Sequence, residues 1–275
     1  MCSVSLKVLA CLTVMLTLSL PCAHADDKPL RICSDPNNLP FSNDKLEGFE
    51  NKIADVVAKE LGRKIEYSWR AQRRGFFREA LKQGDCDVVM GAPAHFEMCL
   101  TTQPYYRSTY VFVSRQNYQP EIHSLDDERL NKLKIGIQVA VESATPPAVA
   151  LARRGMVQNL VGYPLCDDFA RPNPPACIID AVARGDVDLA VAWGPLAGYF
   201  AKQRQLHVVP LSQQRDGELR MAYDISIGVR RSEPELRDRI NGILIAKRGE
   251  IDRILDEYGV PRVAAEPKEA EAQAK

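Results

Sequence analysis

Apolar positions along this chain switch between two periods. Short β-branched runs alternate with stretches whose apolar residues recur every three or four positions, the pattern of strands alternating with helices. Leu30–Ser34 predicts a strand, followed by the polar loop DPNNLPFSND. A helix is predicted over Phe49–Leu61, with Phe49, Ile53, Val56, Val57 and Leu61 on one face and Gly62 as its stop. A strand over Lys64–Trp69 and a helix near Arg73–Lys82 follow, the helix turning Phe76, Phe77, Ala80 and Leu81 inward. A strand over Asp87–Gly91 closes this first unit.

The same order recurs. The run ALKQGDCDVV from Ala80 is echoed by AVARGDVDLA from Ala181, 101 residues later. Leu30-Arg31-Ile32-Cys33 has its counterpart in Leu133-Lys134-Ile135-Gly136-Ile137, 103 residues on. The second unit reads as strand Lys134–Ile137, a helix starting near Pro146, strand Val157–Val161, a helix from about Ile178, and strand Asp188–Ala192. Short apolar strands after helices imply parallel sheets covered on both faces. Two strands lie outside the units, Thr109–Arg115 (TYVFVSR) and Tyr223–Arg230 (YDISIGVR). They are read as crossing strands that join two lobes. The expected fold is α/β and bilobal: two βαβαβ lobes joined by two crossing strands. The expected division is 26–112 with 227–263 for the first lobe and 113–226 for the second. The helices Glu235–Lys247 and Glu250–Tyr258 would return to the first lobe, and the polar tail 264–275 would fray.

The N-terminus predicts export. Lys7 precedes the 13-residue apolar run Val8–Leu20, and Ala23-His24-Ala25 forms a small-x-small cleavage site. That run is too short to span a bilayer. Cys22 follows Leu20-Pro21, and proline suits a lipid-attachment site poorly, so soluble export is expected over lipid anchoring. Cleavage after Ala25 leaves a periplasmic chain of 250 residues with five cysteines.

Charge narrows the function classes. Lys+Arg and Asp+Glu both number 36 in the whole chain, so the basic excess of a nucleic-acid binder is missing. Five cysteines in an oxidising compartment leave at least one as a free thiol or in an intermolecular bond. Cys166 and Cys177 bracket the proline-rich loop DDFARPNPPA and are the expected disulfide. Of the others, Cys33 lies late in its strand and Cys86 at the start of a neighbouring one. That placement disfavours their pairing and leaves Cys33–Cys99 as the alternative, with burial as small apolar residues the plain reading.

The run SDPNNLPFSNDKLEGFENKIADVVAKELGRKIEY, with ALKQGDCDVVMGAP and QPYYRSTYVFV, resembles the type II periplasmic solute-binding proteins of amino-acid importers. Pro40-Phe41 and Gly48-Phe49-Glu50 carry the family's motifs. The strings DPNNLPFSN, GFENKIA, AQRRGF, CDVVMGAP and PYYRSTYVFV resemble, more narrowly, the J-type accessory proteins of methanol oxidation (MxaJ/XoxJ type), with the Xox branch the better match. That resemblance implies a periplasmic partner of a pyrroloquinoline-quinone (PQQ) methanol dehydrogenase, of Xox or Mxa type, acting in its maturation or activation.

An amino-acid receptor needs an arginine fork for the carboxylate and an acid for the ammonium. The stretch where the family carries its arginine is here Ala94–Leu100, with no arginine, and Trp193 stands about where the acid would be. Arg107 or Glu142 would serve instead if the alignment is off by a few residues. The cleft candidates are Asp35, Asn37, Asn38, Phe41 and Glu50 from the first lobe, with Tyr105 near the hinge. Gln138, Glu142 and Trp193 are the candidates from the second lobe. Asp-Pro-Asn-Asn is also a strong turn signal, and Trp193-Gly194-Pro195 equally a packed turn. Trp69, Arg70, Arg73 and Arg74 cluster an aromatic with arginines, the pairing enriched at binding hot spots, and are the partner-contact candidates.

No CxxCH, HExxH or GxSxG occurs. No cofactor, metal site or enzymatic activity is expected. The rival readings are an importer receptor for a non-amino-acid solute, and a dehydratase-like enzyme on the same fold. The latter would use an acid such as Glu50, Glu142 or Asp168, none of which the sequence singles out.

Overall fold

The computed structural model describes residues 28–73, 75–116, 118–140, 143–164 and 173–264. Residues 1–27, where the export signal is expected, Arg74, Glu142, Cys166, Asp168 and the tail from residue 265 lie outside the described residues.

The first unit comprises β1 (Leu30–Ser34), α1 (Phe49–Leu61), β2 (Ile65–Trp69) and β3 (Val88–Pro93). β1 is parallel to both β2 and β3. Four of its five side chains are buried, because helices cover both faces. The predicted helix before β3 is reduced to a π-helical turn, Arg78–Lys82, entered through Phe76 and Phe77. Gly75 sits at φ +88°, which breaks any helix begun at Arg73.

β4 (Tyr106–Ser114) leads into β5 (Ile135–Ala140), α2 (Pro146–Arg153), β6 (Leu160–Pro164), α3 (Cys177–Arg184) and β7 (Leu189–Trp193). β5 is parallel to β6 and β7. An unpredicted helix, α4 (Gly194–Gln203), starts directly after Trp193. Trp193-Gly194-Pro195 is therefore a helix entry, with Pro195 in the first turn, where its missing N–H has no intrahelical partner to lose. β8 (His207–Pro210) pairs β4, and β9 (Ala222–Val229) returns to the first unit.

Eleven strands form one continuous sheet, whose main path runs β6-β5-β7-β4-β9-β3-β1-β2. Each half is a parallel trio, its first strand in the middle, closed by an antiparallel crossing strand. β4 closes β7, β9 closes β3, and the two crossing strands pair antiparallel, with Thr109 opposite Ala222. α5 (Pro234–Ala246) and α6 (Arg248–Glu257) pack Ile240, Ile251 and Leu255 into the cluster built on Phe49 and Ile53.

The sequence repeat has a structural cause. Asp87 accepts the backbone N–H of Arg31 at 3.1 Å, and Asp188 that of Lys134 at 2.9 Å. In both halves the second aspartate of Gly-Asp-x-Asp ties the third strand to the start of the first. An arginine just past each crossing strand completes the arrangement. Arg230 donates to Gly84 O, Cys86 O and Asp87, and Arg115 to Val182 O and Val187 O. Burial pushes the Asp87 carboxyl up, but hydrogen bonds and charge from Arg31, with the charge of Arg230, bring it below its usual range.

Cys33 and Cys86 are joined, with Cα atoms 5.6 Å apart. This corrects both the objection to that pair and the alternative Cys33–Cys99 pairing. The objection assumed strands level with one another. Instead β3 begins only at Val88, opposite Ile32, and Cys86 precedes it in the connection from the π-helical turn, free of the strand register, where it comes within reach of Cys33. Cys99 is a buried free thiol in the same cluster, its pKa raised to about 11 by burial.

Candidate functional site

The loop after β1 is built from its own polar residues. The Asp35 carboxylate accepts the backbone N–H groups of Asn37 (2.9 Å) and Gln72 (2.7 Å). Asn38 Nδ2 donates to Gln72 Oε1 at 3.1 Å. Asp35 and Asn38 thus shape the turn and attach it to the segment after β2. Asn37 reaches across to the other half, where its Oδ1 accepts the backbone N–H of Asn173 at 3.2 Å.

The same loop carries apolar cargo to both halves. Phe41 packs on Phe49 with ring centroids 5.4 Å apart, and also touches the cluster of Val111, Ile178 and Leu196. Leu39 is buried within that second cluster. The first loop is therefore a bridge between the halves.

At the crossing strands, three aromatic residues from three elements converge. Trp193, at the end of β7, stands edge-on to Tyr110 of β4 (5.4 Å) and to Tyr223 of β9 (5.8 Å). Gln138 is buried, and its Oε1 accepts the Trp193 backbone N–H at 2.7 Å. These contacts place Trp193 in the joint between the halves, where it offers no carboxylate to pair with an ammonium.

Arg107 is committed elsewhere. Its NH1 pairs with Asp224 at 2.7 Å and its NH2 donates to Gln214 at 2.9 Å, bracing the two crossing strands. It cannot double as a carboxylate fork without leaving Asp224. The segment Ala94–Leu100 supplies no substitute. Its one basic side chain is His95, exposed and at φ +59°.

Glu50 is the unusual acid. It lies in the first turn of α1, where the helix dipole favours a carboxylate. Burial opposes this and wins, raising its pKa to about 8. It has no hydrogen-bond or ion-pair partner for its carboxyl among the described residues. Tyr105 is equally enclosed, and its hydroxyl has no hydrogen-bond partner among the described residues. The tyrosines Tyr105 and Tyr106 stack edge-on at 5.0 Å beside this acid, and burial raises both hydroxyl pKa values.

The partner-contact candidates differ from one another. Trp69 stacks on Tyr67 at 4.6 Å, and Arg70 is paired with Asp85 at 2.8 Å. Arg73 is exposed. No group of metal-ligating side chains is found among the described residues, and no described helix is long and apolar enough to cross a membrane. Sequence patterns missed Tyr110, Tyr223 and the Arg107–Asp224–Gln214 brace. Their partners are remote in sequence, and the only local signal was their position at the ends of the two crossing runs.

Two parallel trios closed by exchanged antiparallel strands define a type II periplasmic-binding-protein fold. The chain belongs to the bacterial extracellular solute-binding proteins, family 3, whose family model matches residues 30–261. It is 31% identical over 253 residues to Protein MoxJ of Methylorubrum extorquens, covering 87% of this chain and 83% of that protein. The crystal structure of the periplasmic binding protein XoxJ from Methylobacterium extorquens AM1 is similar at a TM-score of 0.71 and 36% identity, over 86% of this chain and all of that one. MxaJ from Methlophaga aminisulfidivorans MPT is similar at a TM-score of 0.75 and 26% identity, over 85% of this chain and all of that one. The resemblance to the J-type proteins thus extends over nearly the whole folded chain.

Proposed function

We propose that this protein is an exported periplasmic accessory of methanol oxidation that contacts a PQQ-dependent methanol dehydrogenase and acts in its maturation or activation. What supports the reading is its similarity to MoxJ, XoxJ and MxaJ along most of the chain, combined with a joint unsuited to amino acids. Arg107 is spent on Asp224, and Trp193 is packed between Tyr110 and Tyr223. A fold that keeps its two halves but lacks the charge clamp has no evident use for the usual solute of its family. Protein contact is a use that needs no clamp. On this reading the chain is a binding partner rather than an enzyme. The first-choice contact residues are Trp69, Arg70, Arg73 and Arg74.

The test is interferometry between the exported protein and the purified dehydrogenase of the same organism. Saturable binding is expected, weakening with salt because exposed charges are screened beyond about 8 Å at physiological ionic strength. Arg73→Glu/Arg74→Glu should slow association. Absence of binding at any salt would overturn the reading and favour a receptor for a non-amino-acid solute.

A further inference from the structure

We propose that a basic groove on the first lobe, between Arg78 and Arg231, seats an acidic segment of a partner protein that carries an apolar side chain. The inference rests on the reading of the chain as a protein-binding accessory, and places a second contact apart from the Trp69–Arg74 cluster.

The groove holds about 530 Å³. Arg78 and Lys82 line it from the π-helical turn and Arg231 from beyond β9, and Leu81 and Met98 supply apolar lining. Among the described residues, Glu97 is the only acid that lines it. Arg78 and Lys82 are exposed and make no ion pair or hydrogen bond among the described residues. Arg231 gives one N–H to the backbone oxygen of Glu97, which leaves its charge uncompensated. Arg230 lines the same groove and shares Asp87 with Arg31 and Arg63, so one carboxylate faces three guanidiniums. A chain with equal numbers of acidic and basic residues has thus gathered positive charge at one place.

The groove has an apolar component as well. Met98 is 45% exposed, a large apolar side chain among cations. Methionine and arginine are both enriched at protein interfaces. A small anion would use the charges and leave Met98 idle. An acidic peptide segment with one apolar residue would use both. The walls are already ordered, which lowers the entropic cost of docking. Ala80 and Leu81 are buried on the Cys33–Cys86 cluster and fix the turn that bears Arg78 and Lys82. The Arg231 contact fixes the lining from beyond β9.

Two probes test the groove separately from the proposed function. The first is a short fluorescent peptide rich in glutamate and carrying two leucines, with its glutamine counterpart as control, read by anisotropy. The second is the purified methanol dehydrogenase, read by interferometry. The variants are Arg78→Glu/Lys82→Glu, with Lys132→Glu/Lys134→Glu on the second lobe as an equal change of charge. Thermal melts confirm that both stay folded. The groove variant should lose about tenfold in affinity for the glutamate peptide at low salt, and the second-lobe variant far less. The loss should shrink at high salt, and the glutamine peptide should bind weakly throughout. Met98→Ala should weaken binding at both salts. No glutamate-peptide binding by the wild type, or equal binding by the groove variant, overturns the groove. If the peptide behaves as expected but the dehydrogenase does not bind, the groove stands and the proposed function falls. If the dehydrogenase binds both variants like the wild type, the dehydrogenase docks elsewhere and the inference is overturned for that partner.

Discussion

Glu50 occupies the space a side chain at Gly91 would need. Its Oε1 lies 2.3 Å from the point where a Cβ on Gly91 would stand, and Gly91 itself holds φ at +71°. Gly91→Ala therefore meets two penalties together, a left-handed backbone and a collision with a buried acid. A loss of more than about 1 kcal/mol is expected, read by urea denaturation. A variant as stable as the wild type would show that Glu50 can move aside at little cost.

Glu50 also makes a prediction about pH. Its carboxyl has a pKa of about 8 in the folded protein against 4.5 for the ordinary group. Folding therefore takes up a proton between these values. The associated stability is full below pH 4.5 and is lost as pH rises through 8. Glu50→Gln, which never ionises, should match the wild type near pH 4.5 and melt at a higher temperature above pH 8. The gap should be on the order of a few kcal/mol. Parallel melting curves for the two proteins across that range would contradict it.

The Cys33–Cys86 bond closes a loop of 53 residues, for which chain entropy predicts a stabilisation of about 4 kcal/mol. Cys33→Ala/Cys86→Ala should lower the melting temperature accordingly. A peptide map of unreduced protein should yield this cross-link and a free Cys99. The buried Cys99 thiol should resist alkylation until the protein unfolds, since burial disfavours its thiolate. The same map tests the proposed Cys166–Cys177 bridge, which would appear as a second cross-link.

Amino acids should not stabilise this protein. A ligand present at a hundred times its dissociation constant adds about 2.7 kcal/mol. With Arg107 bound to Asp224 and Trp193 enclosed by tyrosines, arginine, glutamate and glutamine should leave the melt unchanged. A clear upward shift with any of them would restore the importer reading.

Packing at the joint can be measured at Trp193, which touches Tyr110, Tyr223 and the clusters of both halves. Trp193 is half-buried, so Trp193→Ala should cost up to about 3 kcal/mol, and Trp193→Phe much less. Denaturation monitored by circular dichroism gives both values.

Most of the order of strands and helices, the repeat and the crossing strands could be read from the sequence alone; α4 and β8 could not. Each of these depends on local periodicity: the apolar face of α1, the continuous apolar runs of buried parallel strands, and a Gly-Asp-x-Asp signal used twice. Tertiary structure decided whatever depends on register or on groups far apart in the chain. The path of the chain into β3, off the strand register, brought Cys86 to Cys33, and no spacing rule contains that path. Gly75 turned an expected helix into a single wide turn, because its backbone angle suits the left-handed region. Arg107 was a clamp candidate until the pairing of the crossing strands put Asp224 opposite it. The ionisation of Glu50 is set by how completely its surroundings exclude water, which only the packed chain defines.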